Sequence, residues 1–145
     1  MLPRVALAVA VSAACERTRT AVLVRIETDL TTGATGEVKG VRVRVGSGSG
    51  VRDGWRFDTA YPVHLEGRGS YALPLRVLVM PLEDDPTRVV TVEAWMCNTP
   101  SCPVATQALV EQRAIFSFVE GEQRELLMFL SDVCRGMRCM NPTET

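Results

Sequence analysis

The stretch EVKGVRVRVG, Glu37 to Gly46, decides how this chain folds. Val41, Val43 and Val45 alternate with Arg42 and Arg44. In an extended strand successive side chains point to opposite faces, so the valines line one side and the arginines the other. The same period recurs on both flanks. In TAVLVRIETD (Thr20–Asp29), Val22, Val24 and Ile26 share a face. In YALPLRVLVMP (Tyr71–Pro81), Leu75, Val77 and Val79 do so between Pro74 and Pro81. TRVVTVEAWMC (Thr87–Cys97) turns Val90, Val92, Ala94 and Met96 one way and Trp95 the other. VRDGWRFDTAY (Val51–Tyr61) carries the hairpin signal Asp53-Gly54. VATQALVEQRAIFSFVE (Val104–Glu120) reads as a long, bulged or broken strand containing Phe116 and Phe118.

EQRELLMFLSDVC (Glu122–Cys134) is contested. Glu, Gln, Arg, Leu and Met are good helix formers. Gly121 nevertheless looks like a tight turn, and LLMFL has the shortness of a strand buried on both faces. We read it as a strand. The total is about seven strands at short spacing, which predicts an all-β, Ig-like or fibronectin-like antiparallel β-sandwich. Its expected core is Val22, Val24, Ile26, Val41, Val43, Val90, Val92, Phe116 and Phe118.

The chain opens MLPRVALAVAVSAAC. Arg4 precedes ten apolar or small residues, Val5 to Ala14. That is the layout of an export signal, and it is short of the roughly 20 residues a membrane span needs. Ser12-Ala13-Ala14-Cys15 resembles a bacterial lipobox, in which the cysteine is acylated and becomes the mature N-terminus. The reading divides the chain into a signal peptide (1–14), a tether (15–20), a sandwich (21–133) and a cysteine-containing tail (134–145). Without Arg4, 15 cations face 17 anions. Lys39 is the only lysine. No basic stripe marks a nucleic-acid surface.

The five cysteines fit this division. Acylation would take Cys15. Cys97 with Cys102, and Cys134 with Cys139, read as two local disulfides in an oxidising compartment. Zinc held by all four is the rival, against which the wide spacing counts.

The pattern as a whole resembles a group of predicted envelope lipoproteins abundant in myxobacteria. The stretches that carry it are TAVLVRIETDL (Thr20–Leu30), VKGVRVRV (Val38–Val45) and FVEGEQRELLMFLSDVC (Phe118–Cys134). The resemblance implies an Ig-like sandwich on the cell envelope and brings no catalytic motif. Similar proteins continue past the last cysteine pair, whereas this chain stops at CMNPTET, which leaves the partner of Cys139 open.

Catalytic signals are sparse. His64 is the only histidine, no Gly-x-Ser-x-Gly elbow is present, and Ser47 sits in a plain Gly-Ser-Gly context. Glu83, Asp84 and Asp85 read as a solvated turn, and GSGSG (Gly46–Gly50) as a flexible loop. Trp95 and Tyr71 are the candidate stacking platforms for a glycan. The expectation is a non-catalytic, exported, lipid-anchored module with a structural or binding role and with no metal or cofactor. Its partners would be the membrane through Cys15 and an envelope protein or glycan. If Cys15 is not acylated, the chain is plainly secreted or periplasmic. Two other readings stand beside it. A glycan-binding domain would need Trp95 or Tyr71 open in a groove. An envelope hydrolase or accessory enzyme subunit would need an acid, a base and a nucleophile in one pocket.

Overall fold

Every period-two stretch forms a strand. The computed structural model describes residues 19–48, 54–64, 69–81, 88–103 and 108–136, and the backbone of 138–140. The leader, Cys15, Asp53, the Glu83–Asp85 cluster and the Cys139 side chain lie outside the described residues. The strands are β1 (Ala21–Thr28), β2 (Gly40–Ser47), β3 (Trp55–Pro62), β4 (Leu75–Val79), β5 (Val89–Cys97), β6 (Val110–Ser117), β7 (Gln123–Leu130) and a short β8 (Arg138–Met140). A 3₁₀ turn, Asp132–Cys134, follows β7.

They form two sheets, ordered β4-β1-β7 and β3-β2-β5-β6-β8. β1 and β4 are neighbours in the smaller sheet, and their successors β2 and β5 are neighbours in the larger one. The B, C, E and F strands of an immunoglobulin-type sandwich are interlocked in the same way. β7 occupies the place beside β1 that the first strand fills in that fold.

This placement corrects the expectation of two antiparallel sheets. β7 runs parallel to β1, from Ala21 opposite Gln123 to Thr28 opposite Leu130. β8 likewise runs parallel to β6. The cause is the crossing after β6. A turn closed by Glu122 N–H donating to Val119 O (3.1 Å) hands the chain to the opposite sheet, where β1 has a vacant side. Gly121 provides the positive φ of 74° that this turn requires. The Glu122–Leu130 stretch is a strand despite its helix-forming composition. It is not buried on both faces, however. Met128 and Leu130 are fully buried, while Leu127 and Phe129 are each 42% exposed.

The core lies between the sheets. Val24, Ile26, Val41, Val43 and Val92 expose nothing, and Val22, Val90 and Phe118 are also buried. Phe116 is half-buried against them, edge-on to Phe118 at 5.6 Å. Each fully buried aliphatic chain contributes roughly 1.5–3 kcal/mol. Leu75 and Val79 of β4 close the core, with Val77 partly covered beside them.

Candidate functional site

β3 and β4 are the edge strands on one side of the sandwich, one in each sheet. Between them opens a cleft of about 200 Å³. Val79 and Val90 form its buried floor, and Val45 and Val77 its half-buried walls. Its rim is apolar and open, with Phe57 37%, Leu78 52% and Met80 52% exposed. Arg56 supplies the one charged side chain of the lining. A register shift between Val45 and Gly46 leaves Arg56 as an extra, unpaired residue of β3 at this point. Bulged strands re-aim side chains in this way. The start of β1 is adjacent, since Val22 stands opposite Val79. Arg19 and Thr20, which lead into β1, therefore lie at the end of the sandwich where the cleft opens.

The outward face of the larger sheet is of a different kind. Asp58, Arg44, Glu93 and Arg113 stand in one row across β3, β2, β5 and β6, with alternating charge. Arg42 Nε and Arg44 Nε donate to the two oxygens of Asp58 at 2.6 and 3.2 Å. The hydrogen bond from Arg42, aided by the Arg44 charge, holds the Asp58 carboxyl below its ordinary pKa. Glu93 is buried, and Arg113 pairs with it through Nε at 2.9 Å and through Nη2. Arg44 also lies against two indole rings, 5.4 Å from Trp55 and 5.0 Å from Trp95. The row holds its charges within itself.

Trp95 does face outward from the core, opposite Val92 and Ala94, but it is not available to a ligand. It is fully buried, and its indole N–H donates to Pro103 O at 3.4 Å. Its cover is the loop closed by the Cys97–Cys102 disulfide, with S–S at 2.04 Å. That loop rests on Gly40, where a Cβ would collide with Thr99 O. The cover corrects Trp95 as a glycan platform. Tyr71 is 47% exposed and stands edge-on to Tyr61 at 5.1 Å. Tyr61 shares the face of Val41, whereas Trp95 shares that of Arg42, so the two candidate rings do not converge.

The single histidine closes the turn into β4. The Nε2 of His64 accepts from Leu73 N–H at 3.3 Å, and His64 N–H donates to Tyr71 O at 2.8 Å. The Cys97–Cys102 bond excludes those two thiolates as zinc ligands. Cys134 is disulfide-bonded as well. Among the described residues no helix is long and apolar enough to cross a membrane.

Sequence reasoning passed over the cleft. The signal was there in part, since Leu78 and Met80 are apolar at positions that alternate with the inward set of β4. The molecule is thus defined as an Ig-like β-sandwich with a side cleft between its edge strands. No family model matches the chain, and comparison with characterised proteins and with solved structures finds no match.

Proposed function

We propose that this protein is a non-catalytic, lipid-anchored module of the bacterial cell envelope that holds an apolar partner segment in the cleft between β3 and β4. The observation that carries the binding role is the cleft itself. Phe57, Leu78 and Met80 stand open to solvent around an aliphatic floor. Clefts with apolar linings and few polar groups are where proteins take up apolar ligands. The disulfides support export, because such bonds persist in oxidising compartments. The anchor is the acylated Cys15. Five residues, Glu16 to Thr20, then separate it from β1 and reach about 17 Å when extended. They would keep the sandwich, and the cleft at its β1 end, close to the bilayer.

Expression in a bacterial host with detergent fractionation tests the anchor. The wild-type chain should enter the detergent phase with Cys15 as its first residue. Cys15→Ser should be soluble. Equal partitioning of both chains, with a mature N-terminus elsewhere, would leave a secreted or periplasmic domain. For the cleft, Met80→Asp should abolish uptake of a fluorescent apolar probe without lowering the melting temperature, because Met80 is half-exposed. Unchanged uptake would remove the cleft as the binding site.

A further inference from the structure

Among the described residues β7 makes one ladder only, the parallel one with β1. Among those residues nothing pairs with its other side, an edge eight residues long. Natural edge strands are blunted by shortness, proline, lysine or a bulge. β7 contains no proline or lysine, its charged residues Arg124 and Glu125 are confined to its first half, and its register with β1 runs without a shift. Leu127 and Phe129, two positions apart and so on one face, are each 42% exposed.

We propose that this edge pairs with β7 of a second copy of the chain, antiparallel about a two-fold axis through Met128. The two three-stranded sheets then join into one of six strands. The strand's own sequence argues for this occupant. About that axis Leu127 faces Phe129 of the second copy, and Phe129 faces its Leu127, so the exposed apolar pair covers itself. Leu126 meets Leu130 in the same way. Arg124 comes opposite Asp132 of the second copy, once at each end. Ser131 is extended (φ −84°, ψ 142°), which carries Asp132 along the line of the strand. Both side chains are free to re-pair, with Arg124 60% and Asp132 57% exposed. Their present partners, Glu122 and Arg135, are surface ion pairs of small worth. Neighbouring registers lose this match. An axis through Leu127 sets Glu122 against Asp132, and one through Leu126 sets Leu127 against Glu125. The contact is isologous and closes on itself, so it yields a dimer and not a filament. One strand pair is a small interface, so the dimer forms and dissociates with concentration.

Sedimentation velocity across a concentration series tests this, on the exported chain with disulfides intact and Cys15→Ser to remove any acyl group. That choice makes the result independent of the anchoring proposal. The mass should rise from one copy to two with concentration. Leu127→Lys should lower the association constant about tenfold or more, since each copy then brings a charge beside the axis. Its melting temperature in dilute solution should match wild type, because Leu127 points to solvent. Arg124→Glu alone should weaken the dimer, and Arg124→Glu with Asp132→Arg should restore it. A chain that stays monomeric at every soluble concentration, or a dimer indifferent to Leu127→Lys, overturns the proposal. A double charge swap that fails to restore association overturns the register about Met128.

Discussion

The smaller sheet has two edges, and they are finished differently. β4 has five residues, Arg76 on its outward face, and Pro74 and Pro81 at its flanks. A proline has no N–H to give a further strand, so β4 offers a newcomer little backbone. What it offers instead is side chains, Leu78 and Met80 on the rim of a cleft. β7 is the reverse, with eight residues, no proline and, among the described residues, no strand paired on its outer side. One edge is suited to recognition by shape and apolarity, the other to recognition by strand pairing. The sheet thus separates two kinds of contact by how each border is guarded. β3, an edge of the larger sheet, is guarded by charge, with Arg56 and Asp58 on it.

The largest effect should come where β7 faces inward. Met128 is fully buried against β1, so Met128→Ala should cost about 2–5 kcal/mol in denaturant unfolding. A cost under about 1 kcal/mol would mean that β7 is a loosely added border and not a wall of the core. Removing a guard is the next test. Pro81→Val restores an N–H beside β4 and should create new concentration-dependent association, about tenfold above the background of a chain already carrying Leu127→Lys. No gain would show that shortness alone blunts β4.

At β3 the test is pH. Asp58 has a folded pKa below its ordinary 3.8, through Arg42 first and Arg44 with it. A depressed carboxylate pKa adds stability that is present above the unfolded pKa and is lost as pH falls through the folded one. Asp58→Asn should therefore destabilise modestly at neutral pH and flatten the loss of stability below about pH 4. An unaltered acid limb in thermal melts would mean that the arginines do not hold Asp58 in solution. The smallest effect belongs to Leu78→Lys, with stability within about 0.5 kcal/mol of wild type and no change in sedimenting mass. A loss of dimer there would break the distinction between the two edges.

Much of the fold was legible because period two is a local property. Val41, Val43 and Val45 announce a strand and its inner face without reference to any partner. The strand at Gln123–Leu130 could also be read, from Gly121 and the short apolar run. Its direction could not, since a strand pairs wherever an edge is vacant, and vacancy depends on the order of all the others. The same limit explains Trp95. Its outward position follows from alternation, but its cover depends on a loop stapled by Cys97–Cys102 and seated on Gly40. The cleft draws on β2, β3, β4 and β5, which are brought together by strand order alone. The row Asp58–Arg44–Glu93–Arg113 needs the register of four strands. The exporting leader and the acylated Cys15 remain readings of sequence pattern.

The parallel pairing of β1 and β7 has a mechanical consequence. A force that pulls the chain before Ala21 and after Leu130 draws the two strands in opposite directions along their shared axis. The ladder from Ala21/Gln123 to Thr28/Leu130 is then loaded in shear, with its rungs strained together. An antiparallel hairpin gripped at its two free ends would instead peel open one rung at a time. A module held at its front and tugged from behind β7 resists with the whole length of its longest parallel seam.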